Sequence, residues 1–105
     1  MLKHIVLWKF KEEAEGQSAA ANISVVKQKL ENLNGKIPEI LSIQVRANTY
    51  PFAGNYDAVL IAEFESEAAL KAYQANPLHE EAAAFVKKVT EARAAVDYDD
   101  YNDDE

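Results

Sequence analysis

The sequence predicts one α+β domain of the ferredoxin-like kind, ordered β-α-β-β-α-β, with a four-stranded antiparallel sheet whose open face is covered by a second copy of the chain. Three observations predict it. Two segments, Leu2 to Phe10 and Tyr56 to Phe64, carry apolar residues on both faces. One segment, Leu41 to Asn48, alternates strictly between apolar and polar. Helical apolar stripes separate these strands and supply a layer for one sheet face only.

The first strand, LKHIVLWKF, is short, β-branched and aromatic. Leu2, His4, Val6, Trp8 and Phe10 share one face; Lys3, Ile5, Leu7 and Lys9 share the other. A polar connection over Lys11 to Gln17 follows. Ser18 is an N-cap for a helix reaching Leu33, with Ile23, Val26, Leu30, Leu33 and Ile37 as its stripe. Asn34-Gly35 supplies a left-handed stop and Pro38 prevents resumption.

In the second strand Leu41, Ile43, Val45 and Ala47 face one way, and Ser42, Gln44, Arg46 and Asn48 the other, the pattern of a half-buried edge. A loop through Tyr50, Pro51, Phe52 and Gly54 leads to the third strand. There Ala58, Leu60, Ala62 and Phe64 oppose Val59 and Ile61. Ser66 caps a short helix over Glu67 to Ala75. Asn76-Pro77 breaks it, and a second helix runs from about Leu78 to Val89, since proline is accepted in a first turn. Ala92 to Tyr98 is the final strand. The domain spans 1–98, and 99–105 form an acidic, frayed tail.

The expected sheet order is 4-1-3-2, with the two doubly apolar strands in the centre. Two helical segments cover one face of such a sheet, so the other face is an association site, and a closed two-fold pair buries it.

Composition narrows the function classes. The 105 residues make one domain, 49% hydrophobic and 28% charged, with a net charge of −7. That charge argues against nucleic acid and against anionic membrane surfaces. The absence of cysteine excludes disulfide scaffolds, Cys-ligated metals and thiol nucleophiles. No apolar run is long enough for a membrane span, and the start lacks the features of a signal peptide, so a cytoplasmic protein is expected.

Four pieces carry a family likeness. Lys3-His4-Ile5-Val6-Leu7-Trp8-Lys9-Phe10-Lys11, Tyr56-Asp57-Ala58-Val59-Leu60 with Phe64-Glu65-Ser66, the stretch Tyr73-Gln74-Ala75-Asn76-Pro77-Leu78-His79, and Val96-Asp97-Tyr98 stand in order along almost the whole chain. Together they resemble the stress-responsive α/β-barrel, or Dabb, family of dimeric α/β barrels. The resemblance implies a barrel of two ferredoxin-like subunits. Within the family many members have no known activity, some plant members are associated with stress tolerance, and one kind is a polyketide cyclase that performs an aldol condensation.

By position, the resemblance places the cyclase's catalytic His and Tyr on His79 and Tyr73, and a first-strand His on His4. Two further cyclase histidines are replaced, by Ala58 and Asn76. The implied ligand pocket is thus His4, Trp8, Ala58 and Asn76, for a small apolar or aromatic ligand, with no cofactor and no metal. The departures at Ala58 and Asn76 put the cyclase substrate in question.

The residues allow this chemistry. His79 lies in the first turn of a helix, which lowers an imidazole pKa and suits a general base for a proton next to a carbonyl. The bland reading is a structural His tying down the helix break. His4 sits on an apolar face, where a histidine is more often a satisfied core residue. Trp8 and Phe10 pack a core or line a pocket. The Tyr50-Pro51-Phe52 loop is expected at a dimer contact, with Gln44 and Arg46 at its seam. Asp99, Asp100, Asp103 and Asp104 lack the spacing of a cation loop. Three readings stay open: a homodimer with cyclase- or lyase-like acid–base activity, a non-enzymatic stress or binding oligomer, and a monooxygenase that needs no cofactor or acts on haem.

Overall fold

The computed structural model describes residues 1–101. Six strands and three helices follow in the order β1 (Leu2–Phe10), β2 (Glu13–Ala14), β3 (Gln17–Ser18), α1 (Ala19–Glu31), β4 (Ser42–Ala47), β5 (Ala58–Phe64), α2 (Glu67–Ala75), α3 (Pro77–Val89) and β6 (Thr90–Asp99). The fold is ferredoxin-like α+β, with one four-stranded antiparallel sheet and three helices.

The sheet reads β4-β5-β1-β6 in these labels, not 4-1-3-2. The difference comes with the small hairpin β2-β3, which the sequence reading took for a plain polar connection. Its turn residues Glu15 and Gly16 have φ of 52° and 76°. Two consecutive left-handed residues suit a tight hairpin, and two-residue strands leave no alternation to read. β1 and β5, the strands apolar on both faces, lie in the centre.

Ser18 accepts from Ala21 N–H at 3.2 Å and Ser66 accepts from Ala69 N–H at 3.2 Å, so each serine caps its helix. The helix face of the sheet presents Leu2, His4, Val6, Trp8 and Phe10 from β1, and Ala58, Leu60, Ala62 and Phe64 from β5, all buried. Val26, Leu30, Leu70, Tyr73, Ala82, Val86 and Val89 close over them from the helices. Asn22, 1% exposed, donates to Ala14 O at 2.9 Å and so pins the hairpin to α1.

Among the described residues no layer covers the opposite face. Gln44, Ile61, Ile5 and Val96 stand opposite one another across the four strands, as do Arg46, Val59, Leu7 and Ala94. Val96 is 60% exposed and Leu7 37%. The free edge of β4 is blocked by α1: Val45 N–H donates to Glu31 Oε2 at 2.9 Å, and Lys27 Nζ donates to Val45 O at 3.1 Å. An edge whose backbone groups are taken does not template further strand pairing.

The expected tail begins too early. Asp99 still belongs to β6, and Asp100 N–H donates to Met1 O at 2.7 Å. Pairing with β1 through Leu2↔Asp99 holds this acidic stretch in the sheet. Asp103 and Asp104 lie outside the described residues.

Candidate active site

The break between α2 and α3 is local chemistry. Asn76 precedes proline and is held extended (ψ 132°), which ends α2. Its side chain accepts from Leu78 N–H at 2.9 Å, and Pro77 occupies the first turn of α3, where no N–H is needed. The chain turns there, and His79 comes back over Tyr73 with ring centroids 4.4 Å apart.

His79 Nδ1–H donates to Gln74 O at 3.2 Å. A carbonyl only accepts, so in the neutral ring Nε2 holds the free lone pair. Burial lowers the His79 pKa below its usual value; the Gln74 carbonyl opposes this in part, and nearby His4 adds to it. His79 is therefore a neutral imidazole near pH 7, the form a general base needs.

Tyr73 is 1% exposed, and burial pushes its phenol up to about 12. It remains protonated at neutral pH, so its O–H is available to donate a hydrogen bond. Its ring leans on Phe64 at 4.9 Å, and Phe64 meets His4 edge-on at 6.4 Å. His79, Tyr73, Phe64 and His4 thus form one continuous run of rings between α3 and β1.

His4 faces the helices, buried on the same side of β1 as Val6 and Trp8. Its Nδ1–H donates to the carboxylate of Asp97, its register partner on β6. The carboxylate fixes the tautomer and leaves Nε2 as the free nitrogen. Sequence reasoning missed Asp97, although Val96-Asp97-Tyr98 had been singled out. The signal was present as one acidic residue in a strand that ends a ferredoxin-like fold, where it reaches the start of β1.

A cavity of about 390 Å³ lies between the helix face of the sheet and the helices. His4, Trp8, Tyr73 and His79 all line it. Ala58 and Asn76 do not. Ala58 is 3% exposed and borders instead a cleft with Arg46, Asn48 and Tyr56. Asn76 is spent on the helix cap. The Tyr50–Phe52 pair is exposed and stacked at 5.9 Å, away from the cavity. No helix among the described residues is long and apolar enough to cross a membrane.

With two free imidazole nitrogens and one un-ionised phenol on one wall, the arrangement is fit for moving a proton on an apolar ligand. The family model for the stress responsive A/B barrel domain matches residues 2–100. The chain belongs to the Dabb family. A dimeric protein of unknown function with a ferredoxin-like fold from Bacteroides fragilis is 31% identical to this Dabb chain, with a TM-score of 0.82 over 92% of this chain and 93% of that one. A dimeric ferredoxin-like protein of unknown function from Thermobifida fusca is 28% identical, with a TM-score of 0.79 over 92% and 88%. The hydroxynitrile lyase of Passiflora edulis shares the fold at 19% identity, with a TM-score of 0.78 over 92% and 90%. No curated protein matches the sequence.

Proposed function

We propose that this Dabb chain is a homodimer whose helix-side cavity takes a small apolar carbonyl compound and moves a proton on it, with His79 as general base and Tyr73 as the donor to the carbonyl oxygen. The observation that carries the reading is the meeting of His79, Tyr73 and His4 at one cavity, with His4 held from outside its lining by Asp97. His79 accepts a proton from the carbon next to the carbonyl, and the Tyr73 O–H hydrogen-bonds the oxygen on which charge develops. His4, held by Asp97, presents a second Nε2 to receive or return a proton. The resulting carbanion equivalent is the species that lyase and cyclase chemistry share.

The uncovered face built around Ile5, Leu7, Val59, Ile61 and Val96 supports the homodimer, and so do the dimeric relatives from Bacteroides fragilis and Thermobifida fusca. Packing two such faces together buries both apolar rows without using the blocked β4 edge.

The chain contains two histidines, so its NMR spectrum holds two sets of imidazole ring signals. Titration with a neutral ketone such as 2-octanone is expected to move both ring signals together while leaving the Val96 methyls unchanged. Movement of the Val96 methyls with unmoved histidines contradicts the reading.

A further inference from the structure

We infer that the cavity is built for an elongated apolar molecule bearing a carboxylate at the end remote from the histidines. This deepens the acid–base reading and rests on it for the ligand's orientation.

Two walls reach the same arrangement independently. On α3, His79, Ala83 and Lys87 recur at intervals of four and all line the cavity. Eight helical residues place Lys87 about 12 Å along the axis from His79. On β6, Asp97 stands opposite His4 and Arg93 stands opposite Trp8. Four strand residues place Arg93 about 13 Å from Asp97. One end of the cavity thus holds the imidazoles and the phenol, and the other holds a lysine and an arginine. The wall between them is apolar, with Val6, Leu60 and Val86.

Charge sets this end apart. Among the described residues neither Lys87 nor Arg93 has a carboxylate within ion-pair distance. Glu91 also borders the cavity, so two cations face one carboxylate there. The chain as a whole carries −7 and repels anions. A locally cationic rim on such a chain selects an anion, and the apolar wall asks that the anion trail a hydrocarbon body. The guanidinium of Arg93 suits a planar carboxylate by its fork of N–H donors.

Octanoate and octanamide test this, because they share length and shape and differ in charge. Trp8, the only tryptophan, lies on the cavity wall and reports binding by its fluorescence. Octanoate is expected to bind at least about tenfold more tightly than octanamide at low salt, the margin shrinking as salt rises. The double variant Lys87→Gln, Arg93→Gln alters two exposed positions and is expected to erase the margin while octanamide affinity stays within about twofold. Equal binding of the two ligands, no binding of either, or a margin that survives in the double variant overturns the inference. If the octanoate margin holds and disappears in the double variant, but the protein exchanges no ketone protons, the anion site stands and the acid–base reading falls.

Discussion

His4 donates its Nδ1–H to the carboxylate of Asp97, a residue 93 positions away in sequence and directly opposite it in the sheet. The imidazole is buried and the carboxylate is half exposed. The carboxylate holds the ring through Nδ1, and the histidine lines the cavity.

Asp97→Asn removes the charge and allows the amide to donate to Nδ1, which reverses the tautomer. Turnover is expected to fall roughly a hundredfold or more, with the circular dichroism spectrum unchanged. The His4 ring signals are expected to shift, and those of His79 much less.

Tyr73→Phe deletes one oxygen and keeps the ring that packs on Phe64 and His79. Stability is expected to change by less than about 1 kcal/mol, since the phenol has no hydrogen-bond partner among the described residues to lose. Turnover is expected to drop by roughly a hundredfold, because the developing oxyanion loses its donor. A thermal melt alongside the rate assay separates the two effects.

The pH dependence follows from His79. Burial lowers its pKa below the ordinary 6.5, so the free base persists at neutral pH. The rate is expected to be level near pH 7 and to fall only on the acid side of 6.5. Stability has the same sign. Between the ordinary value and the lowered one, the unfolded chain takes up a proton that the folded chain refuses, so stability falls as the pH drops through that window. Glu63 acts in the same direction at lower pH: hydrogen bonds from Ser42 and then Lys3 lower its pKa, and its contribution is lost as pH falls below the ordinary 4.5. His79→Gln is expected to flatten the higher-pH part of a melting-temperature profile and to leave the lower part intact.

Much of this was legible in the residues. The two-faced patterns of Leu2–Phe10 and Tyr56–Phe64 placed the central strands, and Ser18, Ser66 and Asn76-Pro77 placed the helix ends, because caps and breakers act locally. The hairpin at Glu13–Ser18 was not legible, since its strands are too short to alternate. Asp99 was assigned to a tail for its acidity, whereas the long β1–β6 pairing draws it into the sheet. Ala58 and Asn76 were placed in the pocket by positional likeness, but Ala58, although on the helix face opposite Trp8, is buried outside the cavity lining, and Asn76 is spent on the helix cap. Side-chain direction depends on register and packing across distant segments, which one-dimensional patterns do not carry.

The open sheet face gives a separate expectation. Val96→Asp places a charge at an exposed position, so the subunit fold is expected to survive within about 0.5 kcal/mol, apart from what dimerisation contributes. Burying that carboxylate against a second sheet is unfavourable. Light scattering is expected to report a dimer for the parent chain and a monomer for the variant.

In the proposed chemistry His79 removes a proton next to a carbonyl. The direct measurement is deuterium wash-in: 2-octanone is incubated with the protein in D₂O, and the α-proton signals are followed by NMR. Exchange above the buffer rate is expected for the parent protein, reduced by about a hundredfold or more in His79→Gln. Exchange no faster than buffer, or exchange undiminished in His79→Gln, contradicts it.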